Sequence, residues 1–274
     1  MYIEPGTAAS IAFTIYEHRG RVLPILKKIG YYLRHGHLQI AVFGVGGTGK
    51  TRLGEYLAGE LRPSANLDAY EDSIGVEQYK LQGDIVCSLI VPPGQKRRAE
   101  YSWPELYRDL VEGKSRGIIN VVSWGYHSFA ELQYKETKYY QEGMSESEFI
   151  EAYLQAGRDR ELEAIKELTP RLIDAKKRIW MITLVNKQDL WWHKRVKVKE
   201  HYLTGAYNDH IEQIAQARGR HNFVHEYRSA ALVISNFTTS FAELLAPTVS
   251  GYDQSIQYTH LHRLLDTIYA FAKM

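Results

Sequence analysis

Gly44-Val45-Gly46-Gly47-Thr48-Gly49-Lys50-Thr51 satisfies G-x-x-x-x-G-K-[ST], the pattern of a phosphate-binding loop. Its flanks supply the setting that the pattern needs. Upstream, Leu38-Gln39-Ile40-Ala41-Val42-Phe43 is an apolar run of the kind that forms a buried strand. Downstream, Leu53, Tyr56 and Leu57 recur at helical spacing. Between a strand and a helix, the N–H groups of such a loop turn inward and form an anion nest, reinforced by the helix N-terminus. Lys50 is then placed to reach terminal phosphates, and the Thr51 hydroxyl to ligate magnesium. Gly44, Gly46, Gly47, Thr48, Gly49, Lys50 and Thr51, with Arg52 just beyond them, are the expected phosphate contacts.

Phosphate loops serve many nucleotides, and a second motif discriminates among them. Asn186-Lys187-Gln188-Asp189, an N-K-x-D sequence, follows the apolar run Trp180-Met181-Ile182-Thr183-Leu184-Val185. With the phosphate loop upstream, this pairing resembles the Ras-like, translation-factor-related (TRAFAC-class) P-loop small GTPases. The resemblance implies that Asp189 accepts two hydrogen bonds from guanine, a charge-assisted bidentate contact that adenine cannot supply. It implies that Asn186 ties the base site to the phosphate loop, and that the aliphatic stem of Lys187 covers the purine face. A Ser-Ala turn after the next strand is the family's third base-binding element. Here Phe223-Val224-His225-Glu226-Tyr227-Arg228 runs into Ser229-Ala230-Ala231, and the Ala230 N–H is the expected donor to the guanine carbonyl.

The resemblance extends to two switches. Ser73-Ile74-Gly75-Val76-Glu77 is similar to a Rab-like switch I with serine in place of threonine. No threonine lies between Thr51 and Thr137, so Ser73 is the candidate for completing the magnesium shell. A hairpin is expected next, Val76 to Leu81 and Ile85 to Val91, running into Pro92-Pro93-Gly94-Gln95. This is similar to D-x-x-G-Q of switch II, but Val91 stands where the aspartate belongs. The departure weakens magnesium support. Gly94 is retained as a γ-phosphate sensor, Gln95 as the residue that orients the attacking water, and Lys50 as the catalytic cation. The implied activity is GTP hydrolysis to GDP and phosphate, slow because of Val91, with Mg2+ and GTP/GDP as ligands and a partner protein as the readout. The alternatives are a GTP/GDP-binding scaffold without turnover and an ATP-dependent P-loop enzyme.

Composition bounds the rest. The 274 residues and 45% hydrophobic content suit one large α/β domain. A net charge of +2 gives no reason to propose nucleic acid as partner. The lone Cys87 lies in an apolar strand, excludes an internal disulfide and fits a reducing cytoplasm. No apolar run is long enough to span a membrane, and the C-terminal residues offer no prenylation cysteine. The expected fold is a three-layer α/β/α P-loop domain of Ras-like type over 37–274, with a six-stranded, mostly parallel sheet and an N-terminal helical extension over 1–36. The basic amphipathic helix of that extension is expected to pack on protein, membrane-surface contact being the alternative.

After a fourth strand at Gly117–Ser123, an insertion is expected over about 125–157, with a short helix near Ser145–Gln155 opened by a capping box. It would emerge at the ligand-binding edge of the sheet, as a lid, an effector surface or a plain surface excursion. A separate helix over Arg160–Lys177, kinked or split at Pro170, follows it. Amphipathic helices are expected at Tyr207–Arg218 and Ile256–Phe271, with a long irregular stretch between Thr238 and Gly251. Trp191 and Trp192 either wall the base pocket or pack in the core.

Overall fold

The computed structural model describes residues 39–59, 77–80, 88–91, 104, 106–129 and 133–272. The N-terminal extension, Ser73, Cys87, Gly94 and Gln95 lie outside the described residues.

Strands β1 (Gln39–Phe43), β3 (Ser88–Val91), β4 (Ser115–Val122), β5 (Ile179–Val185) and β6 (Phe223–Ser229) run parallel, and β2 (Glu77–Lys80) pairs antiparallel with β3. The order across the sheet is β2-β3-β1-β4-β5-β6. Alternation along each strand divides the core into two clusters. Ala41, Phe43, Ile118, Val122, Ile179, Met181 and Val185 face one side. Ile40, Val42, Ile119, Val121, Trp180, Ile182 and Leu184 face the other. Both faces are covered, so β5 is buried at every position, which is why its sequence is apolar throughout.

Helices α2 (Glu146–Ile173) and α5 (Ala206–Arg218) close the first face with Ile165, Leu168, Leu172, Tyr207, Ile211 and Ile214. Helices α1 (Lys50–Ala58) and α6 (Gln254–Ala272) close the second with Leu53, Leu57, Leu261, Leu264, Leu265, Ile268 and Phe271. Each fully buried leucine or isoleucine of these sets contributes about 1.5–3 kcal/mol. A short α3 (Gln188–Trp191) and α4 (Arg195–Leu203) link β5 to α5. No described helix is long and apolar enough to cross a membrane.

Three sequence expectations change. The helix near 145–155 and the helix beginning at 160 are one continuous α2 of 28 residues. Its start is as read: Ser145 caps the Glu148 amide and the Glu148 side chain returns to the Ser145 amide. Pro170 sits one turn from the C-terminus, where the carbonyl left without an amide is a local loss, so the helix neither splits nor restarts there. The stretch read as irregular takes part in a small hairpin, β7 (Phe237–Thr238) with β8 (Leu244–Ala246).

Candidate functional site

The carboxyl ends of β1, β4, β5 and β6 bring four loops to one edge of the sheet, where open α/β sheets bind ligands. The loop after β1 is the glycine loop. Gly47 and Gly49 hold φ of 78° and 99°, values that L side chains rarely adopt. A Cβ on Gly47 would come within 2.4 Å of the Ser128 amide nitrogen, and one on Gly49 within 2.3 Å of the Asn186 side chain. Gly49 is also the N-cap of α1, and no side chain caps that helix or adds an acidic group to its first turn. The first amides of α1 are thereby left to an anion.

Three carbonyls of the loop are held, one from within it and two from outside. Val45 O accepts from Thr48 Oγ1 and from Lys50 Nζ, both at 3.0 Å. Gly47 O accepts from Ser128 N at 3.0 Å and Ser128 Oγ at 3.2 Å. Thr48 O accepts from Asn186 Nδ2 at 2.8 Å. In a planar trans peptide the N–H opposes the carbonyl. Holding these three carbonyls therefore directs the amides of Gly46, Thr48 and Gly49 away from the tethers. Gly44 joins the loop to β1, Thr51 is half-buried in the first turn of α1, and Arg52 pairs with Glu55 at 2.9 Å on the same helix.

The turn after β5 carries the second motif. Asn186 is buried and works in both directions, donating to Thr48 O and accepting from Leu232 N at 3.1 Å. Trp191, buried, donates its indole N–H to Asn186 O at 2.9 Å and fixes the turn from beneath. Lys187 is left-handed, with φ 57°, and its Nζ donates to Ser128 Oγ at 3.2 Å. Burial pushes the Lys187 ammonium down to about 8. Gln188 reaches the Ser229 hydroxyl at 2.9 Å and accepts from Tyr252 OH at 3.1 Å. Trp192 packs edge-on against Tyr252 and His260.

Asp189 is 1% exposed. Its Oδ2 accepts from Ser235 N at 3.0 Å, and its main-chain carbonyl accepts from Val249 N at 2.8 Å. Its Oδ1 is buried and has no hydrogen-bond partner among the described residues. Burial pushes the carboxyl up to about 7. A buried carboxylate oxygen without a donor is costly, and a ligand that donates there relieves the cost.

One expected donor is engaged elsewhere. Ala230 N donates to Val185 O at 3.1 Å, continuing the β5–β6 ladder, so it does not face a base. The Ala231 amide is the next along the chain, and it faces the Tyr252 hydroxyl. Both alanines are fully buried.

The sequence reading missed the loop after β4. Buried Glu161 of α2 accepts at Oε1 from Ser123 N at 2.8 Å, Gly125 N at 3.3 Å and His127 Nε2 at 2.9 Å. Its Oε2 accepts from Tyr202 OH at 2.5 Å, and the same hydroxyl accepts from Trp124 N. Burial alone would raise the Glu161 carboxyl, but these donors outweigh it and hold it below its usual value. Burial holds His127 below its ordinary value, against the opposing pull of Glu161. The Gly125–Gly157 contact was the available signal: a Cβ on Gly157 would meet Gly125 O at 2.5 Å, and a glycine inside a helix marks a close approach.

The glycine loop and the unpartnered Asp189 oxygen fit a nucleotide: one offers amides to phosphates and the other an acceptor to a base. For magnesium, Thr51 stands in the first turn of α1, and no cluster of three or more His, Cys, Asp or Glu side chains is found among the described residues.

No protein-family model matches the sequence, and no curated protein matches it. Solved structures with which it aligns include an ADP-ribosylation-factor-like GTP-binding protein, the small COPII coat GTPase of Encephalitozoon cuniculi, in complex with GDP. That alignment has 13% identity and a TM-score of 0.44, covering 98% of this chain and 94% of the other. The mammalian SRP receptor aligns at 16% identity and TM-score 0.40, over 71% of this chain and 91% of the other. A GTP-binding protein of Sulfolobus solfataricus in complex with GDP aligns at 12% identity and TM-score 0.35, over 98% and 62%. Likeness at this level carries no inference about function.

Proposed function

We propose that the chain is a guanine-nucleotide-binding protein that hydrolyses GTP slowly and acts as a nucleotide-dependent switch on a partner protein. The observation that carries this reading is the Asn186 side chain, which joins the glycine loop through Thr48 O to the carboxylate turn that follows it. Phosphate recognition and base recognition are thereby built as one rigid unit.

In this reading the amides of the glycine loop and of the first turn of α1 hold the phosphates, and Lys50 leaves Val45 O to meet their charge. Asp189 Oδ1 accepts from the base, and the Lys187 stem lies beside it. Ser235 N takes one acceptor position of Oδ2, and the second lone pair of that oxygen is left for the other half of a bidentate grip on guanine. For the Ala231 amide to take the donor role first assigned to Ala230, it has to leave the Tyr252 hydroxyl. Gln95 orients the attacking water, Gly94 senses the γ-phosphate, and Ser73 with Thr51 holds magnesium. The metal would supply charge neutralisation on the phosphates. Val91 removes one support of that metal and favours slow turnover, or a nucleotide-holding scaffold with none.

The test measures affinity for GDP, GTP, ATP and XDP, with phosphate release, for the native chain and Asp189→Asn. Loss of one or two charge-assisted bonds lowers guanine affinity about tenfold to a hundredfold. XDP should then bind the variant better than GDP does. Unchanged guanine preference in the variant, or ATP binding equal to GTP in the native chain, would overturn the assignment.

A further inference from the structure

We infer that Ser128 is a positioning residue of the phosphate site, delivered by the loop after β4 and anchored from behind by Glu161. The inference rests on the nucleotide reading above and adds a residue that lies outside both sequence motifs.

Three contacts converge on Ser128. Its N–H and its hydroxyl both donate to Gly47 O, at 3.0 and 3.2 Å, and the hydroxyl accepts from Lys187 Nζ at 3.2 Å. Ser128 thus bridges the two motifs at a second point, beside the Asn186 link. Both lone pairs of Gly47 O are engaged, which fixes the plane of the following peptide and hence the direction of the Thr48 amide. The backbones touch so closely that only glycine fits at position 47.

The loop that presents Ser128 is itself held. Glu161 gathers Ser123 N, Gly125 N and His127 Nε2 onto one oxygen, and Tyr153 OH donates to His127 O at 3.3 Å. Both anchors belong to α2, so that helix determines where the hydroxyl stands. Amides aimed before a ligand arrives cost no reorganisation on binding, and that preorganisation is what Ser128 adds.

The experiment titrates GDP into native protein, Ser128→Ala and Ser128→Thr, and records the thermal midpoint of each without nucleotide. Ser128→Ala keeps the amide and loses the hydroxyl, so GDP affinity should fall about fivefold while the ligand-free midpoint stays put. Ser128→Thr retains the hydroxyl and should restore most of the loss. Equal affinity of native and Ser128→Ala would overturn the inference and leave the nucleotide reading intact. A loss that tracks a lowered ligand-free midpoint and is not restored by threonine would also overturn it, as plain packing. Absence of GDP binding in the native chain would instead remove the nucleotide reading, and this inference with it.

Discussion

Asp189 has one oxygen engaged by Ser235 N and one with no donor among the described residues, inside a pocket that raises its carboxyl to about 7. The two facts give opposite pH dependences. The folded value lies above the ordinary aspartate value of 3.8, so the contribution of this group to stability is fully present below about pH 4. It is lost as pH rises through about 7. A base that donates hydrogen bonds needs the ionised form, so GDP affinity should move the other way. It should climb up to about tenfold per pH unit below pH 7 and level off above. Denaturant midpoints and GDP titrations from pH 4.5 to 8 check both trends. In Asp189→Asn the stability component should vanish, and a native affinity that is flat below pH 7 would count against a base at Oδ1.

At the scale of elements, α2 decides where the loop after β4 can lie. Gly157→Ala should raise helix propensity by up to about 1 kcal/mol in isolation. In the fold its Cβ would meet the Gly125 backbone at 2.5 Å, an overlap that no side-chain rotation relieves. The expected net is a loss of about 2 kcal/mol, with weaker GDP binding because Ser128 is displaced. Chemical denaturation and nucleotide titration of the same variant measure the two together. The same helix shows where sequence reading succeeds and stops. Ser145 and Glu148 announce its start through local chemistry, and Leu168 and Leu172 reveal its buried stripe through periodicity. Gly157 and Pro170 read as breaks because local propensity cannot register the packing that overrides them. β5 and α6 were legible nearly to the residue, since burial imposes an unmixed apolar run on one and a clean stripe on the other. The β7–β8 hairpin was not, because two- and three-residue strands have no period to detect. In the site, Lys50, Asn186 and Asp189 were legible as motif letters. Ser128, His127 and Glu161 were not, for their meaning lies in one long-range cluster that no spacing encodes.

Seen whole, the molecule brings supports from both layers of helices to one edge of its sheet. The glycine loop runs into α1 on one face, while Ser128 is held by α2 on the other. Asn186 links them through the end of β5, and the carbonyl of Asp189 holds Val249, shortly before α6 begins. A nucleotide seated there would act as a keystone. Its stabilisation, about 2.7 kcal/mol at a hundredfold excess over Kd, would be shared among elements that otherwise open independently. Deuterium uptake should therefore slow in concert on adding GDP, by up to about a hundredfold, in the first turn of α1 and across 123–129. Slowing confined to residues 44–51 would mean that the two layers breathe separately. The convergence thus makes occupancy legible from the far side of the sheet, where a partner touching only α2 could sense a nucleotide it never meets.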